Sequence, residues 1–441
     1  MNGEQWQDAE HRLSKARTLV RQRRYEDAIV ELRAAADADP LNVQLYLQIG
    51  TTLELLGRYY EAIEAYRHAS DVEPENCFVW NHLGVALMHV ERWARALDAF
   101  EHAQRADDAF EPAYCNRIAV YARLDRHDKA EEMFYLARLY KERCPQCFFN
   151  MAGSLMARGQ WEKAAFCLKQ TLELQPPHPQ VHAMLAECYR KLDRLESARG
   201  HYANALQLAG AEVSLLLGLA DVLIELGQFE EAEAVVRQVG EQAPHSADAH
   251  AMRGRLLLAA GRPDRAREPL ARAADLDPTV TGIHLLLAKV ELQAGEVMEA
   301  RRRLLAELAV RPEDAAVLLE LGNLLMDLSL PAEAVEAFSR LTELHPADAR
   351  GWQNLGVALC TTGALPEGLE ACGRARRLLP ASAAVRFNLA FALACTGNLP
   401  AARREVEQAL IEHPRDVNLR RLRLRLKLKQ LRLAARKLLP W

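Results

Sequence analysis

Apolar residues recur at intervals of three and four along almost the whole chain, the period of a helix that buries one face. The periodic runs are short and come in pairs. Inside a pair the break falls on glycine seven times, at Gly57, Gly159, Gly227, Gly261, Gly295, Gly363 and Gly397. A left-handed cap closes a helix there at least cost. An aromatic residue often stands two positions after this turn, as in Tyr25, Tyr59, Trp93, Trp161 and Phe229. Between pairs the break falls on proline, at positions 40, 74, 176, 244, 278, 312, 346, 380 and 414. The residue before a proline resists helical geometry, so the second helix of each pair ends there.

These prolines are spaced by 34 residues or by multiples of 34. The three steps without one hold Asp108, Glu142 and Gly210. Twelve repeats therefore run from Ala9 to Asp416 with no insertion or deletion, which predicts stacked copies of one helical unit. Two further positions support the register. Position 20 of the repeat is Ala28, Ala62, Ala96, Ala130, Ala164, Ala198, Ala232, Ala266, Ala300, Ala334, Gly368 and Ala402. Position 8 is small in every repeat but the fourth, which has Ile118. Small residues at two fixed points let paired helices approach closely.

This period and pattern resemble the tetratricopeptide-repeat (TPR) family, which favours a large residue at position 4, Leu-Gly or Leu-Ala at 7–8, Ala at 20 and 27, an aromatic or aliphatic residue at 24, and Pro at 32. Trp352, Leu355, Gly356, Gly368, Ala375 and Pro380 carry the match in one repeat. Trp80, Leu83, Gly84, Ala96, Phe100 and Ala103 carry it in another. Repeat 5 departs most, with Pro145 at its first position and Thr171 at its twenty-seventh. The resemblance implies an all-α, right-handed α-solenoid of about twelve helix pairs with a concave groove. One helix pair cannot cover its own apolar face, so neighbours must stack. Three segments are expected: an N-terminal extension (1–8), the solenoid (9–416) and a basic capping helix or tail (417–441).

In the family the first helix of each repeat lines the groove. Position 6, which that geometry turns inward, reads Gln48, His82, Asn116, Asn150, Met184, Gly218, Met252, Leu286, Glu320, Asn354 and Asn388. An amide side chain both donates and accepts, so a row of them suits the backbone of an extended peptide. This is similar to the asparagine ladder of the O-linked N-acetylglucosamine transferases, though interrupted. The plainer account is that exposed helix positions tolerate Asn and Gln. The family's carboxylate clamp is not met. Asn323 and Asn354 fit it, but Leu319, Ala384 and Asn388 stand where it needs cations.

The nine cysteines are scattered and odd in number, which suggests reduced thiols rather than a disulfide framework. Cys144 and Cys147 form a Cys-x-x-Cys at the start of a predicted helix, with Cys115 one repeat away. The spacing gives half of a metal site. The simpler expectation is that Cys147 fills a small buried slot, so no metal and no cofactor are expected. His182, His250 and His284 occupy position 4 and are read as packing substitutes. No nucleotide-binding or hydrolase motif is present, and the chain is expected not to be an enzyme.

Composition refines this picture little. Hydrophobic residues make up 50% of the chain and aromatic residues only 6%, a balance that favours helix over sheet. The charge of −4 is unevenly placed. Ten Lys or Arg and one Asp from Arg415 onward give +9, which leaves about −13 for residues 1–414. From Arg421 to Lys429 basic residues alternate with leucine. As a helix, this segment places Leu419, Leu422 and Leu426 on one stripe and leaves Arg423, Arg425, Lys427 and Lys429 for an acidic surface. No secretory signal or membrane span is read, so a cytoplasmic location is expected. The expected function is a scaffold or adaptor that binds other proteins or peptides in the groove. Self-association, and contact of the tail with nucleic acid or an anionic membrane, are the alternatives.

Overall fold

The computed structural model describes the backbone of residues 3–438 and the side chains of residues 9–431; residues 1–2 and 439–441, at the ends of the expected extension and tail, lie outside it. It contains 25 helices, and no strand occurs among the described residues. The chain divides into two compact halves, 1–226 and 227–441. The first half holds α1 (Gly3–Arg21), α2 (Tyr25–Ala38), α3 (Val43–Leu55), α4 (Tyr59–Val72), α5 (Cys77–His89), α6 (Trp93–Ala106) and α7 (Glu111–Arg123). It continues through α8 (His127–Tyr140), α9 (Pro145–Ala157), α10 (Trp161–Leu174), α11 (Pro179–Lys191), α12 (Leu195–Ala209) and α13 (Val213–Glu225). The second half begins with α14 (Phe229–Gln242), α15 (Ala247–Ala259), α16 (Pro263–Leu276), α17 (Ile283–Gln293), α18 (Val297–Val310) and α19 (Ala315–Asp327). It ends with α20 (Pro331–Leu344), α21 (Ala349–Thr362), α22 (Leu365–Leu378), α23 (Ala383–Cys395), α24 (Leu399–Glu412) and α25 (Val417–Leu438). Helix α1 starts at Gly3, so residues 3–8 continue the first helix rather than forming a separate extension.

The 34-residue register is visible in the backbone. The turn inside each repeat carries one residue with positive φ, at positions 23, 57, 91, 125, 159, 193, 227, 261, 295, 329, 363 and 397. Seven of these are the glycines that the sequence singles out. The other five are Arg23, Glu91, Asp125, Asp193 and Ser329, which adopt the left-handed conformation despite their side chains.

Packing explains the small residues. Every alanine at position 20 is fully buried. At position 8 a methyl group on Gly84 would lie 2.4 Å from the ring of Phe100, and one on Gly50 would lie 2.3 Å from Tyr66. The aromatic at position 24 therefore lies directly against the first helix of its own repeat. Repeat 4 carries bulk at both positions. Ile118 is fully buried, and Phe134 packs edge-on against Phe148 of the next repeat with ring centres 5.4 Å apart.

Position 4 holds neighbours together by hydrogen bonds as well as by size. Trp80 Nε1 donates to the Pro74 carbonyl at 2.7 Å, and Trp352 Nε1 to Pro346 at 2.9 Å. The Tyr114 hydroxyl donates to Asp108 at 3.1 Å, Arg386 Nε to Pro380 at 2.8 Å, and Arg420 Nε to Pro414 at 2.9 Å. His250 Nε2 lies 3.1 Å from the Pro244 carbonyl. Each acceptor ends the preceding repeat, where a carbonyl would otherwise depend on water. The histidine at 250 is thus a donor-bearing substitute for tryptophan. His182 differs: its Nδ1 faces Nδ1 of His201 at 3.0 Å, and burial lowers the pKa of both rings.

The final helix covers α23 and α24. Leu419, Leu422 and Leu426 are buried, and the latter two join Ala390, Ala394, Leu399, Ala402 and Val406 in one apolar cluster. Each such leucine contributes roughly 1.5–3 kcal/mol of burial. Arg423, Arg425 and Lys427 are exposed. Lys429 is exposed too, and it also donates to the Ala394 carbonyl at 3.2 Å. That carbonyl belongs to the last turn of α23, where a cation is favoured.

Candidate functional site

In the first half, Gln48, His82, Asn116 and Asn150 occupy one position each on α3, α5, α7 and α9, and all four are half-buried. They do not bond to one another. Asn116 Nδ2 donates to Asn81 Oδ1 at 2.8 Å, and Asn150 Nδ2 to the Cys115 carbonyl at 2.6 Å. Each amide thus ties its helix to the preceding first helix, at position 5. Gln48, with its oxygen toward Arg17, accepts from Nε at 3.2 Å and Nη2 at 3.1 Å. The His82 ring stacks on Tyr66 with centres 5.5 Å apart, and burial lowers its pKa. Gln48 and His82 share a recess of about 310 Å³ with Gln44, Thr51, Asn76 and the exposed ring of Phe78.

In the second half the same kind of link joins Asn354 Nδ2 to Asn323 Oδ1 at 2.8 Å. Asn388 is half-buried on α23. Of the intervening position 6 residues, Met252 is buried, and Glu320 pairs with Lys289 at 2.7 Å. Asn81 was not identified from sequence. Its signal would have been an amide one residue before position 6.

A second cluster forms where α7 meets α9. Cys115 and Cys147 are joined as a disulfide with Cα atoms 4.8 Å apart. This corrects the expectation that all nine cysteines stay reduced; positions 5 and 3 of consecutive first helices face each other across a close contact. Cys147 is buried, as a small core residue would be, but it does more than fill a slot. Cys144 Sγ lies 3.5 Å from Cys115 Sγ and accepts from the Cys147 amide at 3.3 Å, capping α9. Glu111, one turn before Cys115, aims Oε1 at all three sulfurs. It stands 2.8 Å from Cys115 and 3.5 Å from Cys147, and takes a short hydrogen bond from the Cys144 thiol. Its Oε2 faces Lys141 Nζ at 3.6 Å. Burial, and then the bond to Glu111, pushes the Cys144 pKa up to about 11. The remaining free cysteines lie elsewhere in the chain, at 77, 167, 188, 360, 372 and 395.

Residues 1–215 match the family described as the cilia and flagella-associated protein 70 C-terminal domain. Tetratricopeptide-repeat families match residues 196–256 and 257–306, 285–349 and 319–383, and 383–408. Compared by sequence with curated proteins, the chain matches none. Among solved structures it is similar to the anaphase-promoting-complex hetero-tetramer Cut9–Hcn1, at 15% identity over 95% of this chain and 96% of that one, with a TM-score of 0.43. It is similar to yeast Tom70 at 15% identity over 96% of each chain, with a TM-score of 0.42. A thermophilic TPR protein from Thermus thermophilus, TTC0263, is 23% identical over 41% of this chain and 99% of that one, with a TM-score of 0.38.

Proposed function

Because the chain belongs to the tetratricopeptide-repeat family, we propose that it is a non-enzymatic scaffold that binds extended polypeptides along the first helices of its N-terminal half. The observation that carries this reading is the series Gln48, His82, Asn116 and Asn150. Each is half-buried, and the two asparagines are held by a bond to the neighbouring helix. An amide fixed on one side presents its remaining donor or acceptor in one direction, so less side-chain entropy is lost when a ligand binds. The recess beside Gln48 and His82 adds an apolar contact through Phe78. A ladder of this kind reads peptide backbone rather than sequence.

Peptides selected from a display library against the full chain test the reading. Isothermal titration of a selected peptide should show roughly 5- to 150-fold weaker binding to an Asn116→Ala/Asn150→Ala variant, equivalent to the loss of two hydrogen bonds of about 0.5–1.5 kcal/mol each. Methylating the peptide's backbone nitrogens should weaken binding to the wild-type chain. Equal affinity for wild type and variant, with equal helicity, sinks the proposal.

A second reading rests on α25, where Leu424, Leu428 and Leu431 are exposed beside Arg423, Arg425 and Lys427. That mixture suits the surface of an anionic membrane. Sedimentation with anionic and neutral vesicles separates the two readings. Among the described residues no helix is long and apolar enough to cross a membrane.

A further inference from the structure

We propose that Cys115, Cys144, Cys147 and Glu111 form a binding site for one zinc ion that clamps α7 to α9 when the three cysteines are reduced. This inference is independent of the peptide-binding reading.

The four donors come as two pairs from two chain segments. Glu111 and Cys115 are one turn apart at the start of α7, and Cys144 and Cys147 form the capped first turn of α9. Three sulfurs and a carboxylate oxygen all lie within 4.8 Å of one another. A tetrahedral zinc with bonds of about 2.3 Å needs donor atoms about 3.8 Å apart. The Cys115 and Cys144 sulfurs already stand at 3.5 Å; the Cys115 and Cys147 sulfurs, bonded here, must separate by about 2 Å on reduction to complete the tetrahedron.

Electrostatics favours a cation over the disulfide as the occupant of this space. Once Cys115 and Cys147 are bonded to each other, neither sulfur carries a proton. The carboxylate oxygen nevertheless sits 2.8 Å from one of them and 3.5 Å from the other. The Cys144 thiol and Lys141 hold the carboxylate there, but the two bonded sulfurs offer it no proton. A disulfide also leaves the third buried sulfur, Cys144, outside the bond, as a thiol that caps α9 and donates to Glu111. A divalent ion would instead attract all four donors to one centre. The surroundings fit that charge. The amide of Cys147 points at Cys144 Sγ from the first turn of α9, which favours a thiolate. Lys141 sits by the outer oxygen of Glu111, leaving Oε1 directed inward, as an outer-shell partner orients a ligand. Binding releases three protons, one from each thiol. Three thiolates and one carboxylate around a 2+ ion leave a charge of −2, which Lys141 partly offsets. Sulfur-rich tetrahedral donors select zinc over harder cations.

The location gives the ion a structural task. Repeats 4 and 5 follow the two consecutive steps, Asp108 and Glu142, that lack the terminal proline. The Asn150 amide is bonded to the carbonyl of Cys115 itself. A zinc clamp would stiffen the junction where the repeat pattern is weakest.

The full chain is reduced with a phosphine, which takes an oxygen atom from water and leaves thiols at 115 and 147, then gel-filtered without chelator. Elemental analysis by mass spectrometry after addition of zinc should give one zinc per chain. Cobalt in its place should give strong tetrahedral visible bands and near-ultraviolet charge-transfer intensity for three thiolates. A Cys144→Ser/Cys147→Ser variant should lose stoichiometric metal, Glu111→Gln should bind at least about tenfold more weakly, and Cys395→Ser should bind as wild type. The proposal is overturned if the reduced wild-type chain takes up neither metal, or if the double variant retains one equivalent. If the serine variants do not fold, the wild-type cobalt spectrum decides: fewer than three thiolates overturns the site.

Discussion

Glu307 closes the N-terminus of a helix to which it does not belong. Its Oε1 accepts from the Gly282 amide at 2.7 Å, and its Oε2 from His284 and Leu285 at 3.0 and 3.3 Å. Repeat 9 begins at Thr281, yet α17 starts only at Ile283, after a left-handed Gly282. The amides at this shortened start are met by a carboxylate from α18 that is fully buried. Glu307→Ala leaves three buried donors unmet and should cost roughly 2–4 kcal/mol. Hydrogen exchange should show the loss first in the amides of α17. Unchanged protection there would mean that water replaces the carboxylate at little cost.

Glu91 holds a φ of 57° in the turn between α5 and α6, at the position where seven other repeats have glycine. The left-handed conformation costs a side-chain-bearing residue about 1–2 kcal/mol, and glycine recovers most of this at some entropic cost. Glu91→Gly should therefore raise stability by about 0.5–1 kcal/mol in denaturant melts. Gly57→Ala should lower it by a similar amount. If both substitutions are neutral, the turn relaxes out of the left-handed region.

His182 and His201 face each other through Nδ1, and burial lowers both pKa values. The folded state thus binds fewer protons than the unfolded state, whose histidines titrate near about 6.5. Their contribution is complete above that pH and is lost as the pH falls below it and on through the folded pKa values. His201→Gln should flatten the fall in stability between about pH 6.5 and pH 5. A wild-type slope in the variant would place the sensitivity elsewhere.

The tail divides by burial. Deleting residues 417–438 uncovers the apolar cluster of α23 and α24 and should lower the melting temperature and solubility. Changing Arg423, Arg425 and Lys427 to Gln should leave stability within about 0.5 kcal/mol, since all three are exposed. Adding Lys429→Gln should cost more than the other three together, because only it caps a carbonyl. Any partner held by this face should also lose its salt sensitivity in the triple variant. An unchanged melt after the deletion removes the capping role.

The sequence by itself determined the helices and their pairing. Alanine at position 20 and a small residue at position 8 recur because each repeat meets its own partner helix in the same way. Local spacing reports such contacts directly. Seven of the twelve left-handed turns were legible for the same reason, since glycine announces them. Arg23, Glu91, Asp125, Asp193 and Ser329 did not, because there the stacked helices impose the conformation on residues that do not prefer it. The candidate sites divide along the same line. Gln48, His82, Asn116 and Asn150 could be chosen by register, but their partners, Arg17, Asn81 and the Cys115 carbonyl, lie on neighbouring helices. Cys144 and Cys147 announced themselves by spacing. Only the packing of α7 on α9 brought Cys115 and Glu111 to them, and only the packing of α18 on α17 placed Glu307 over three bare amides. These are contacts between residues 22 to 36 positions apart, and their chemistry depends on which side chains the stack happens to oppose rather than on any local period.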